Sequence, residues 1–252
     1  MSEADDATRA LADMLGKLST TCPGGWYERH SGAVAAVSAV AARPLNRVIG
    51  ETIEPDVDAV AVLAARIEAD DLPYLVETRP GAEGLAQWCR SRGFTDVGTV
   101  PLMTCTTAAL TSPRSVGVTW RRLGADDMDA HIDVAISGYE MQADGLAGFE
   151  RSTLLAQEFG AGLIAEVDGE AACTGISLVA DDWVGVFIVG TVPAYRRRGL
   201  GAALTAKLVT DAVARNGVRQ ALLQSSAMGK RVYESLGFAT VETWTRWTTV
   251  AA

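Results

Sequence analysis

Apolar positions along the chain keep two periods, and the switches between them predict its elements. Recurrence every three or four residues predicts a helix, and an unbroken or alternating run predicts a strand. Leu11, Met14, Leu15 and Leu18 keep the helical period, so a helix is expected from about Asp5 to Leu18, with Gly24-Gly25 breaking the chain behind it. The small apolar run Ala33 to Ala41 reads as a strand, Pro44 and Gly50 bracket a loop or a short strand around Val48-Ile49, and Asp56 is placed to cap a helix reaching Ala69. A strand at Tyr74 to Thr78, a helix from Pro80-Gly81 through Arg92 stopped by Gly93, and a strand from Thr95 to Met103 follow.

From Thr104 to Arg114 no apolar period is kept and the segment ends in Ser-Pro-Arg, which predicts a boundary between residues 1–105 and 116–252. Beyond it a strand is expected at Val116 to Arg121, a helix from about Asp126 to Gly138, and a second short helix within Gly145 to Glu158. Leu163 to Val167 and Ala171 to Val179 form a hairpin about Asp168-Gly169, a strong two-residue turn signal. The chain then closes with a strand at Ala221 to Gln224, a helix from Met228 to Leu236 and a strand from Thr240 to Thr248.

Between the hairpin and those last elements lies the stretch that carries chemistry. The β-branched run beginning at Trp183 reads as a strand buried on both faces, and Gly190-Thr191-Val192-Pro193 ends it. Leu200, Leu204, Leu208, Val209, Ala212 and Val213 then form a helical stripe. Joining the two is Arg196-Arg197-Arg198-Gly199-Leu200-Gly201. A helix N-terminus presents N–H groups without intrahelical partners, glycines allow close approach to that backbone, and arginines add positive charge, so a pyrophosphate is the expected guest. The spacing matches neither the P-loop nor the three-glycine dinucleotide fingerprint.

The pattern Arg/Gln-x-x-Gly-x-Gly/Ala after a strand and a proline resembles the coenzyme A pyrophosphate loop of the GNAT superfamily of N-acetyltransferases. The element order β-α-α-β-β-β-α-β-α-β over residues 116–248 resembles that family's fold. Ser91-Arg-Gly-Phe94 through Thr99 also aligns with Ser235-Leu-Gly-Phe238 through Thr243. An α/β protein with a mixed sheet is therefore expected, built of two GNAT-like domains. The N-terminal one is expected to be degenerate, because nothing between Leu18 and Pro80 matches the pyrophosphate loop.

The resemblance implies acetyl-CoA as co-substrate and direct transfer of its acetyl group to the primary amine of a small molecule. Carried onto this sequence, the coenzyme would be held by Arg196, Arg197, Arg198, Gly199, Leu200, Gly201 and Ala202, and by the strand edge Ile188, Val189, Gly190 and Thr191. An N–H of Ile188 or Val189 would face the thioester oxygen. Gly190, inside a β-branched run, suits a bulge and close ligand approach. Ser226 stands where many members have Asn, and Tyr233 is the expected acid, turned away from a buried stripe of Met228, Val232 and Leu236. Family members often place a Glu on the fourth strand, but Gly185 to Val189 contains no carboxylate. Glu140, Asp144 and Glu166 are the candidate acceptor-side carboxylates, with a water relay as the alternative base. The same residues admit an acyl-CoA sensor without turnover, or a protein or peptide N-acetyltransferase.

Composition narrows this further. With 48% hydrophobic and 21% charged residues, the 252-residue chain has the composition of a globular protein. A net charge of −9 argues against nucleic acid as partner. No apolar run is long enough to span a bilayer and the start Met1-Ser-Glu-Ala-Asp-Asp is acidic, so a cytoplasmic protein is expected. Cys22, Cys89, Cys105 and Cys173, with only His30 and His131, suggest neither disulfides nor a metal. A homodimer stays open.

Overall fold

The structure is a computed structural model describing residues 2–114 and 116–249. The first half of the chain runs α1 (Glu3–Thr20), β1 (Trp26–His30), β2 (Ala33–Val37), β3 (Asn46–Gly50), α2 (Val57–Ala69), β4 (Leu75–Thr78), α3 (Glu83–Ser91) and β5 (Phe94–Thr106). The second runs β6 (Val118–Arg122), α4 (Met128–Tyr139), β7 (Gly160–Val167), β8 (Glu170–Ala180), β9 (Trp183–Thr191), α5 (Leu200–Asn216), β10 (Gln220–Gln224), α6 (Lys230–Ser235) and β11 (Ala239–Thr249). The expected second helix within Gly145 to Glu158 is two 3-10 turns instead, Phe149–Arg151 and Leu154–Ala156. β1, with its alternation masked by Glu28, Arg29 and His30, has no counterpart among the expected strands.

The two compact units are not the contiguous halves 1–105 and 116–252. The first comprises residues 1–102 together with the chain from Thr240 onward, and the second comprises Met103–Ala239. The correction has a physical cause in β11. Thr245, Arg246 and Trp247 pair antiparallel with Thr78, Glu77 and Val76 of β4, so the last strand completes the first unit's sheet. The end of β5, from Met103, lies beside β10 in the second unit.

In the first unit, β1, β2, β3, β4 and β11 follow one another across the sheet. All five residues of β2 are buried. Ala33, Ala35 and Val37 pack with Val60, Leu63, Ala64 and Ile67 of α2, and the alternate positions face the side that α1 covers. Gly16 is what lets α1 lie on the sheet, since a Cβ there would sit 2.5 Å from the Tyr27 ring. Charged side chains fasten β11. Arg79, buried to 4% exposure, donates to both oxygens of Glu242 at 2.9 and 2.7 Å, to Asp5 at 2.8 Å and to the Glu51 carbonyl at 2.9 Å. Its guanidinium holds the Asp5 carboxyl well below the usual carboxylate range. The Trp247 indole N–H donates to Thr78 and that of Trp244 to Glu242.

In the second unit the order is the end of β5, then β10, β9, β8, β7 and β6. Leu200, Leu204, Leu208, Val209 and Ala212 of α5 pack on one face against Ala165, Cys173, Val184 and Val186, as the helical stripe predicts; Val213, the stripe's last member, is 36% exposed. α4 covers the other face, where Val134 meets Ile164 and Leu123. The hairpin turn at Asp168-Gly169 has φ of 54° and 83°, the left-handed pair that this two-residue turn requires. The two aligned segments also fold alike: Gly93 and Gly237 both take positive φ past a helix end, and Phe94 and Phe238 are both buried.

Removing Arg79 tests how β11 is held. Arg79→Met leaves Glu242, whose side chain is 13% exposed, without its cation. Breaking such a pair costs about 3–5 kcal/mol, so urea unfolding of the variant is expected to show a loss of that order, and a loss no larger than for an exposed ion pair would mean that backbone pairing alone holds the strand.

Candidate functional site

β9 is the strand on which the site is built. Its parallel ladder with β10 runs through Trp183↔Gln220, Val184↔Ala221 and Gly185↔Leu222 and then stops, although β9 continues to Thr191. On the other side β8 pairs with β9 as far as Ile176↔Phe187 and resumes at Thr174↔Gly190. Ile188 and Val189 therefore bulge opposite Gly175, with Ile188 at φ 50°. A β-branched residue in that region is strained, by about 1–3 kcal/mol. The bulge thus falls at Ile188-Val189 and not at Gly190. Gly190 has another reason to be glycine: a Cβ on it would lie 3.2 Å from Ala135 Cα, and a Cβ on Gly138 would lie 2.7 Å from the Gly190 backbone. The pair lets the end of α4 rest directly on β9.

Beyond β9, Pro193–Tyr195 forms a 3-10 turn, and then Arg197 and Gly199 take φ of 63° and 76° before α5 begins at Leu200. No side chain caps α5 and its first turn carries no acidic residue. The N–H groups of its first turn, Leu200, Gly201 and Ala202, have no intrahelical acceptors. Arg197 and Arg198 are exposed beside them, with Arg198 lying 5.6 Å from the Tyr195 ring centroid. Gly201 faces the parted strand, since a Cβ on it would meet Thr191 Oγ1 at 3.6 Å and Val189 Cγ1 at 3.8 Å. Arg196 turns away from this cradle. Its guanidinium reaches the Gly138 carbonyl at 2.9 Å, the Glu140 carboxylate at 2.9 Å and the Thr191 carbonyl at 3.3 Å.

Tyr233 stands on α6, half-buried, with its ring edge-on to Phe238 at 6.2 Å. Burial pushes its phenol up to about 12, and the nearby Cys173 thiol adds to that. The buried Thr205 hydroxyl of α5 forms no hydrogen bond but lies close enough to pull the phenol slightly down. The Cys173 thiol accepts from Thr191 Oγ1 at 3.2 Å and is itself pushed up to about 11 by burial. Tyr139, the last residue of α4, is half exposed, but desolvation of its phenol still raises it, with Tyr233 and Cys173 adding to that. Three protonated, neutral groups thus stand on α4, β8 and α6, with Cys173 raising the titration of both tyrosines. The buried stripe expected to orient Tyr233 is absent, because Met228 is 80% and Val232 38% exposed while only Leu236 is buried. A short α6 starting at Lys230 leaves Met228 outside the helix, and Tyr233 is held by Phe238 and by the core around α5.

These features coincide with a known family. The acetyltransferase (GNAT) domain family matches residues 158–240. Residues 158–240 form a GNAT acetyltransferase domain. The protein is an acyltransferase, and members of the family that residues 158–240 match take the acyl group from acetyl-CoA. Among solved structures, a GCN5-related N-acetyltransferase from Kribbella flavida is similar over 100% of this chain and 97% of its own, with 23% identity and a TM-score of 0.76. Another from Sphaerobacter thermophilus covers 86% of this chain and 76% of its own, at 19% identity and a TM-score of 0.60. A tandem GNAT protein from the clavulanic acid biosynthesis pathway covers 88% and 80%, at 13% identity and a TM-score of 0.59. At these identities the likeness shows the fold. No curated protein matches the sequence.

The remaining expected site residues of the GNAT domain scatter. Glu140 is at the site, but ion-paired with Arg196. Asp144 is exposed in the loop after α4. Glu166 lies on β7, with β8 between it and β9, and is bound to Arg121 at 3.0 Å, which removes it from the acceptor side. The Ser226 hydroxyl accepts from the Gly229 N–H and so shapes the turn into α6. Tyr139, Cys173 and Thr205 were not legible as site residues, since each sits in an apolar or small-residue context that reads as core. Among the described residues no helix is long and apolar enough to cross a membrane, and no group of three His, Cys, Asp or Glu could hold a metal.

His131 on α4 is fully buried; its Nδ1 lies 2.7 Å from Thr174 Oγ1, which itself donates to the Leu163 carbonyl. Nδ1 is therefore the protonated nitrogen, and Nε2, buried without a partner, carries the lone pair. Burial lowers its pKa from 6.5 to about 4.

Two predictions follow from this geometry. Gly201→Val is expected to abolish acetyl-CoA binding by filling the gap between α5 and β9, with little loss of stability, because φ at 201 is not positive and the nearest atoms stand at contact distance. Calorimetric titration that found wild-type affinity would refute the cradle; Gly199 is a poorer probe, since its φ of 76° would strain any replacement. The second concerns His131. Because the folded pKa of about 4 lies below the ordinary 6.5, stability is full above pH 6.5 and is lost as pH falls toward 4, where the unfolded chain takes up a proton that the folded chain refuses. The loss approaches about 3 kcal/mol; urea titrations from pH 7 to 4 should show it for wild type and not for His131→Gln.

Proposed function

We propose that the GNAT domain transfers an acetyl group from acetyl-CoA directly to the primary amine of a small molecule, with Tyr233 as the acid. The observation that carries this reading is the parting of β9 from β10 after Gly185↔Leu222, opening beside the bulge at Ile188-Val189 and leading to the uncapped start of α5. An extended pantetheine arm can pair with the free edge of β9 while the pyrophosphate takes the N–H groups of Gly199 to Ala202 and the charges of Arg197 and Arg198. The N–H of Ile188 or Val189, neither of which has a partner in the β8 register, is then available to the thioester oxygen as negative charge grows there.

Direct transfer is supported by Cys173. Its thiol is fully buried and pushed up to about 11, so no thiolate is at hand to take the acyl group first. The Tyr233 phenol, pushed up to about 12, keeps its proton at neutral pH and can give it to the departing sulfur. No carboxylate lies on β9, so the amine proton leaves through water. Four buried free cysteines fit a reducing, cytoplasmic setting.

The coenzyme is assigned to the second unit alone, with the first as a degenerate GNAT-like unit. There the parallel pairing of β3 and β4 runs to Ile49↔Glu77, and Arg79 bridges to the Glu51 carbonyl just past it, so these two strands do not part as β9 and β10 do. The N-terminus of α2 is capped by Asp56, within an acidic segment that includes Glu51, Glu54 and Asp58, and an anion would meet like charge.

Tyr233→Phe keeps the ring against Phe238 and removes only the hydroxyl. General-acid help is worth about 10²–10⁴-fold, and a thiolate is a forgiving leaving group, so kcat with an amine panel should fall by an amount at or below the lower end, with acetyl-CoA affinity unchanged. Full activity would reduce Tyr233 to packing. Binding of acetyl-CoA by wild type without turnover of any amine or peptide would favour an acyl-CoA sensor.

A further inference from the structure

Arg196 occupies the first basic position of the pyrophosphate loop, yet all its polar atoms face the other way. Nε donates to the Thr191 carbonyl at 3.3 Å, Nη2 to the Gly138 carbonyl at 2.9 Å, and Nη1 pairs with Glu140 at 2.9 Å. Thr191 ends β9, whereas Gly138 and Glu140 flank the end of α4. That helix end has need of a cation. Its last turn carries no basic residue, and the Ile136 and Ser137 carbonyls accept from the N–H groups of Met141 and Glu140, which leaves the Gly138 carbonyl to the guanidinium. A positive charge there also opposes the negative end of the helix dipole.

Glu140 is held in the left-handed conformation, φ 54°, where the chain leaves α4 for the loop that follows it. Tyr139, between the two residues that Arg196 grips, is the residue whose hydroxyl senses Tyr233 and Cys173. On its own backbone, Arg196 immediately precedes Arg197, whose positive φ starts the cradle. One side chain therefore ties the coenzyme loop to the far wall of the site.

We propose that Arg196 is a positioning residue that transmits coenzyme occupancy to the loop after α4, and is not a ligand of the pyrophosphate. The proposal rests on the coenzyme site argued above. When the N–H groups of the cradle close on an anion, the Arg196 backbone is fixed, and its contacts with Gly138 and Glu140 hold the end of α4 in place. Linkage requires the effect to be mutual, so an acceptor ordering that loop would tighten coenzyme binding by the same factor.

Hydrogen exchange on the full-length protein, with acetyl-CoA as the probe, tests this. Without ligand, Arg196→Met should speed exchange across residues 139–148 while the strands β7 and β8 keep their protection, which shows that the fold is intact. Saturating acetyl-CoA should slow exchange of that segment in wild type and not in Arg196→Met, although calorimetric affinity changes by less than about threefold. Arg196→Lys, which keeps the charge for Glu140 but loses the planar fork, should recover part of the response. A fall in affinity beyond about tenfold with the segment's response retained would make Arg196 a phosphate ligand and overturn the proposal. If wild type binds acetyl-CoA and the segment does not respond, the coupling alone falls; if wild type does not bind it, the site reading falls too.

Discussion

A buried strand that loses its neighbour is the constraint on which the second unit depends. Backbone N–H and C=O groups inside a protein require partners, and β9 past Gly185 has β8 on one side only. The bulge at Ile188-Val189 turns further groups out of the ladder and holds a β-branched residue at positive φ. Such an arrangement persists only if the surroundings over-determine it, and two features do so. α5 packs Leu204 and Leu208 beneath β8 and β9, and the glycine pair 138/190 brings α4 onto β9 from the opposite face. An extended ligand with alternating donors and acceptors would complete the interrupted sheet. The same glycine contact places Tyr139, Gly138 and Glu140 at the edge of that gap, so packing that parts the strands also assembles the wall facing them.

The two halves show how little sequence change separates a ligand cradle from a closed fold. Each has a parallel strand pair joined by a helix. In the first, Asp56 caps that helix from within and Arg79 crosses to the Glu51 carbonyl, so the groups a coenzyme would use already have partners. In the second, the helix starts at Gly199 without any cap and arginines replace the acidic segment. The difference lies in who satisfies the backbone, the chain itself or a guest.

Local patterns made much of this readable in the sequence. The strand β9, the turn with its glycine at 199 and the stripe of α5 as far as Ala212 each follow from periodicity or turn chemistry, and the structure repeats them, although β9 is fully buried only at Val184 to Val186 and Gly190 and not throughout. What was not legible depends on distant partners. Gly190 signalled a special position in β9, but its cause is α4, over fifty residues earlier, and the bulge beside it carries no glycine at all. Arg196 looked like its two neighbours until Gly138 and Glu140 were seen to hold it. β11 pairs with β4, a contact that no period within either strand encodes. Met228 and Val232 keep a helical spacing, but α6 is too short to bury them.

The protonation of the site sets the order of its chemistry. Cys173, Tyr139 and Tyr233 are all pushed toward their neutral, protonated forms by desolvation, and Thr205 adds a hydroxyl. Such a site is rich in proton donors, and its carboxylate, Glu140, is ion-paired with Arg196. In the proposed transfer, negative charge would develop on the thioester oxygen and then on the sulfur with donors already in place. The same surroundings penalise a buried ammonium, because no carboxylate inside offsets its desolvation. If the proposed acceptor is an amine, it would have to shed its proton to solvent before it reaches the acyl carbon, so the neutral nucleophile would be selected on the way into the site.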